Sequence, residues 1–71
     1  MDHGPYSRMT YLGRHVLHRF PGFSYENLRD GDRNLFRVFE RRMVTSYSWE
    51  TLQIGEVSSL GEVEEFVRSS P

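Results

Sequence analysis

A chain of only 71 residues that contains no cysteine cannot be held by disulfides or organised around a thiolate zinc site. At this size a single hydrophobic core rarely supplies more than about 3–5 kcal/mol, so the fold must rest on packing, on association with another chain, or on a non-thiol ligand. The 26 apolar and aromatic side chains suffice for one thin core and no more. These limits disfavour a multi-part enzyme and point to a single small domain that works by binding. The reducing cytoplasm is the expected compartment. No apolar run approaches the roughly 20 residues of a membrane helix, and no basic start leads into an apolar stretch with a small-residue cleavage site. Neither secretion nor a membrane partner is expected.

Bulk charge names no partner, because nine Arg against ten Asp and Glu give a net charge of -1. Its distribution is more informative. Residues 1–49 hold eight Arg and five acids, a balance of +3, whereas residues 50–71 hold one Arg and five Glu, a balance of -4. No acid falls between His3 and Tyr25, and every basic residue is Arg rather than Lys. Guanidinium groups favour stacked and bidentate contacts over diffuse attraction. The plainer reading is a solvated basic face offset by the C-terminal glutamates.

Along the chain, Met1–Tyr6 reads as a flexible lead-in with Gly4-Pro5, and residues 7–69 as a single α+β domain. Met9, Leu12, Val16 and Phe20 recur at spacings of three, four and four, which predicts an N-terminal helix over 7–20 closed by Pro21-Gly22. A short second helix is expected over 23–29, with Ser24 as its cap. Leu35–Val44 and Trp49–Val57 are rich in β-branched and aromatic residues and read as a β-hairpin. Ser59-Leu60-Gly61-Glu62 has the capping-box pattern that starts a C-terminal helix ending near Ser69. A lone hairpin is marginal, so a helix must cover one of its faces and a further strand could come from another copy.

Several constellations hint at chemistry. Asp30-Gly31-Asp32-Arg33-Asn34 resembles the first half of a calcium loop, yet Leu35 and Arg41 stand where that loop needs Gly and a bidentate Glu. A polar turn explains it better. His15 and His18 lie three apart on the expected helix with His3 upstream, but no carboxylate orients them, and two exposed imidazoles are the simpler account. Neither a metal nor a cofactor is therefore expected. Catalysis needs a nucleophile, a base and an electrophile converging in a desolvated pocket, and a core this small leaves little room for one; no enzymatic activity is expected.

The hairpin carries the sharper signal. If Phe36 and Val38 share a face with Leu52 and Ile54, alternation places Leu35, Arg37, Phe39, Arg41, Met43 and Trp49 on the other. One layer of helices covers only one of these faces. The second is then either the other half of a two-sided core or an exposed aromatic patch rimmed by Arg, the composition enriched in protein-binding hot spots. The expected function is that of a non-catalytic, regulatory interaction protein, which forms a homodimer or meets a protein partner through Phe39, Met43 and Trp49 with Arg37 and Arg41 at the rim. The alternative is a nucleic-acid-binding domain of winged-helix type, using Arg8, Arg14, His15 and His18 on the first helix with Arg37 and Arg41 on the hairpin.

Overall fold

The computed structural model describes residues 9–70. Four strands follow one another, Met9–Val16 (β1), Phe23–Asp30 (β2), Arg33–Thr45 (β3) and Ser48–Val57 (β4), and one helix, Leu60–Arg68 (α1), ends the chain. The strands form one antiparallel sheet in the order β1-β2-β3-β4, each paired with its sequence neighbour. This overturns the expected α+β arrangement with an N-terminal helix over 7–20 and a short second helix over 23–29: Met9–Val16 and Phe23–Asp30 are strands. The extra strands that a marginal hairpin needs come from the chain itself. The lead-in over residues 1–6, with His3, lies outside the described residues, as does Arg8.

The helical spacing of Met9, Leu12 and Val16 has a specific origin. Between the pairs Tyr11↔Leu28 and Gly13↔Asn27 the register skips Leu12, and Gly13 adopts φ 137°. A bulge of this kind inserts one residue and reverses the alternation beyond it. One face of the sheet therefore receives Met9 and Tyr11 before the bulge and Arg14 and Val16 after it, a 2-3-2 spacing that breaks the period of two. β2 (FSYENLRD) is polar for an interior strand and is held by partners on both sides. Ser24, expected to cap a helix, accepts a 3.5 Å hydrogen bond from the Arg14 guanidinium.

Tight turns set the register. Gly31-Asp32 joins β2 to β3 with φ 63° at Gly31 and no positive φ at Asp32, the arrangement of a type II′ turn, which suits the twist of a hairpin. Ser46-Tyr47 joins β3 to β4, where the Thr45 and Ser48 hydroxyls lie 2.9 Å apart and the Tyr47 N–H donates to Thr45 Oγ1.

The core lies between the sheet and α1. Val38 and Val63 are fully buried, Phe36 and Val67 nearly so, and Phe20, Phe23, Tyr25, Ile54 and Phe66 pack around them. α1 rests on β3 and β4, while the loop after β1 adds Leu17 and Phe20 beside it. Arg68 lies over the Phe20 ring at 5.8 Å and ties that loop to the helix. Ser59 caps α1 through Oγ, which accepts from the Glu62 N–H at 3.3 Å, and Glu62 Oε2 accepts from the Ser58 N–H at 3.0 Å. Ser59→Ala is expected to cost about 1 kcal/mol, the usual worth of such a cap. An unchanged urea midpoint would show that α1 does not depend on it.

Both sheet edges are irregular. β1 carries the bulge at Leu12, and β4 carries another at Ile54, between the pairs Val38↔Gly55 and Phe39↔Gln53. Bulges twist an edge away from the regular spacing that a further strand would need.

Candidate interaction face of the sheet

Among the described residues, no secondary-structure element covers the sheet face opposite α1. Alternation along β3 directs Leu35, Arg37, Phe39, Arg41 and Met43 to this face, and the register sets Trp49 of β4 opposite Met43. The five residues singled out from sequence thus share one face. It extends over all four strands to include Tyr11, Val16 and Leu28. Trp49, Met43, Tyr11 and Val16 are each more than half exposed, and Phe39 is half-buried. Leu28 is buried although it stands outside the core cluster.

Two arginines lie over aromatic rings here. The Arg14 guanidinium stands 5.2 Å from the Phe39 centroid and that of Arg41 4.9 Å from the Trp49 centroid. Each contact is worth roughly 0.5–1 kcal/mol at an exposed site. It also fixes the long side chain against the sheet, which lowers the entropy lost when a partner docks.

The pairing brings four charged residues into one row. Arg14 of β1 is opposite Glu26 of β2, Glu26 opposite Arg37 of β3, and Arg37 opposite Glu56 of β4. Arg37 Nε and Glu56 Oε2 are 3.6 Å apart. The row reads plus, minus, plus, minus across the full width of the sheet. Neither glutamate was a candidate from sequence, since residues so far apart in the chain meet only through the register.

The remaining candidates separate. Arg14 joins the face from a strand, not from a helix. His15 points to the α1 side, where it stacks on Tyr25 with centroids 5.2 Å apart, and His18 lies exposed in the loop after β1. The first helix of the winged-helix alternative does not exist, which removes the basis for that docking geometry. Among the described residues no group of three or more His, Cys, Asp or Glu is placed to hold a metal. Asp30 ends β2, Gly31-Asp32 form the turn, and Arg33 and Asn34 begin β3, so the calcium-like segment is the apex of a hairpin. Millimolar calcium is expected to leave the melting temperature unchanged; a rise reversed by chelator would show that the apex binds the ion.

Two depressions mark the face. One of about 420 Å³ lies between Tyr11, Leu28, Arg37 and Glu56, and one of about 520 Å³ between Arg14, Val16, Arg41 and Trp49. Both open widely to solvent and suit side chains of a partner better than an enclosed small molecule. No family model, curated protein or solved structure matches the chain. Among the described residues no helix is long and apolar enough to cross a membrane.

Proposed function

We propose that this protein is a non-catalytic, regulatory interaction domain that binds protein, in the first instance itself, through the sheet face opposite α1. One observation carries the reading: α1 covers one face of the sheet, while the other presents Phe39, Met43 and Trp49 with Arg37 and Arg41 among them. Burial of apolar surface drives association, and aromatic and Arg residues in such a setting supply most of the affinity of known interfaces. We assign it to the cytoplasm, where a domain held by packing alone loses nothing to a reducing environment.

A second reading, single-stranded nucleic acid laid across the same face, draws on Trp49 and Arg41 as a stacking and phosphate-binding pair. It is the weaker one. Glu26 and Glu56 interrupt the arginines in the charged row, so a polyanion crossing the sheet meets repulsion at every second strand. Sedimentation from micromolar to several hundred micromolar is expected to show monomer passing to dimer. Monomer throughout that range would overturn self-association. Sub-micromolar binding of a random oligonucleotide at physiological salt, lost on Arg37→Gln, would instead favour nucleic acid.

A further inference from the structure

Resting on the proposal that this face binds protein, we infer that its end between Val16 and Trp49 takes an extended acidic segment of another protein, with carboxylates on Arg14 and Arg41 and an apolar side chain between them. The unequal charge of the two depressions carries the inference. The one beside Tyr11 holds Arg37 and Glu56 3.6 Å apart, so its charges offset. The other is lined by Arg14 and Arg41 and, among the described residues, by no acid. Neither of these two guanidinium groups lies within ion-pair distance of a carboxylate among the described residues. Arg14 stands opposite Glu26 in the ladder, yet its side chain leaves that neighbour, reaches over Phe39 at 5.2 Å and donates to Ser24 Oγ at 3.5 Å.

The cations are held in place for a ligand. Arg14 lies over the Phe39 ring and Arg41 over the Trp49 ring, 4.9 Å from its centroid, so they offer two separate points of positive charge. A guanidinium carries five N–H donors in one plane. The bond to Ser24 uses one of those of Arg14, which leaves donors for a carboxylate. Ser24 and Thr51 line the same depression and add hydroxyl groups. Its wall is fixed as well: the Arg41 N–H donates to the Gly22 carbonyl at 2.8 Å and the Leu17 N–H to the Phe23 carbonyl at 3.1 Å, which pins the loop after β1 against the sheet. Little is then lost to ordering when a partner docks.

Charge and shape together name the partner's chemistry. Two cations that no local acid offsets match two carboxylates, and the open apolar surface of Val16 and Trp49 on either side matches an apolar side chain. In an extended segment alternate side chains project to one side, about 6.6 Å apart. An acid, an apolar residue and a second acid at positions i, i+2 and i+4 therefore reach the sheet together. A polynucleotide fits less well, because it carries a phosphate at every step and crosses the sheet past Glu26 and Glu56. A short acidic segment need not reach either.

Trp49 is the only tryptophan of the chain, so its fluorescence reports on this site. The probe is the capped peptide Gly-Glu-Ser-Leu-Ser-Glu-Gly, added to the full chain at micromolar concentration. It is expected to bind with Kd below about 1 mM, and the same peptide with both Glu replaced by Gln about fivefold or more weakly. Arg14→Gln and Arg41→Gln should each weaken binding of the acidic peptide about threefold, and together about tenfold, because they act at separate points. Arg29→Gln removes the same charge from the other side of the sheet and should leave binding unchanged. Equal binding of the two peptides, which needs only the unaltered chain, would overturn the inference, as would a loss from Arg29→Gln equal to that from Arg41→Gln. No binding of the acidic peptide at about 1 mM, in a chain that sedimentation shows to self-associate, overturns the acidic partner and leaves protein binding by the face standing. A chain that neither self-associates nor binds the peptide removes both. An oligothymidylate bound more tightly than the acidic peptide, and weakened by the same two replacements, would put nucleic acid in the place of the acidic segment.

Discussion

Gly55→Val is expected to lower folding stability by about 3 kcal/mol, the upper part of the range for overpacking a well-filled core. Gly55 lies opposite Val38 on the α1 side of β4, and the Phe66 ring packs directly against its backbone. A Cβ at this position would fall on that ring, 2.6 Å from Cε2 and 2.8 Å from Cε1 and nearer still to Cζ. The ring cannot retreat easily, because α1 is anchored by the fully buried Val63 and by Val67. Strand propensity alone works in the opposite direction, since valine fits a pleated strand better than glycine by up to about 1 kcal/mol. Any loss must therefore come from the contact with Phe66. In a Phe66→Leu background the same replacement should cost at least 1 kcal/mol less, and urea denaturation of the four chains of this cycle measures the difference. Additive effects, or an unchanged midpoint for Gly55→Val, would show that α1 does not pack on Gly55.

The second large effect concerns association. Phe39→Asp and Trp49→Asp are each expected to weaken the proposed self-association by at least a hundredfold while leaving the fold intact. Both positions lie outside the core cluster, so a carboxylate there stays hydrated in one copy and is screened by Arg14 or Arg41, whose guanidinium groups already occupy these places. An exposed pair of this sort is worth less than about 1 kcal/mol. In the dimer the same carboxylate must be desolvated, which costs several kcal/mol and is only partly offset by a neighbouring arginine. Arg41→Gln should cost less than tenfold, because it removes one cation–π contact. Gel filtration with circular dichroism on the same samples separates loss of association from loss of fold. An Arg41→Gln defect exceeding that of Trp49→Asp, with a steep dependence on salt, would shift the balance towards a polyanionic partner.

How much of this could be read from the chain depends on how regularly each strand runs. β3 alternates without interruption from Leu35 to Met43, so its face could be assigned from sequence and its two sides told apart. β1 could not, because the bulge at Leu12 turns a strand pattern into one that imitates a helix. β2 has few of the β-branched and aromatic residues that mark strands, with only Phe23 and Tyr25 among Ser, Glu, Asn, Leu, Arg and Asp. Its conformation is imposed by pairing on both sides, a tertiary effect that outweighs local propensity. The charged row was hidden for a different reason. Arg14, Glu26, Arg37 and Glu56 belong to four strands, and only the register of three ladders aligns them.

The bulges at Leu12 and Ile54 bear on what happens when this chain is crowded. A small sheet without a barrel's closure carries two rows of spare peptide donors and acceptors, and a neighbour that docks there exposes another such row, so growth of that kind has no natural end. The proposed pairing through the open face would, if isologous, consume the sticky surface of both participants at once and stop at two. The kinked edges of β1 and β4 work against that open-ended growth, so that the sheet can be crowded without its edges seeding fibres.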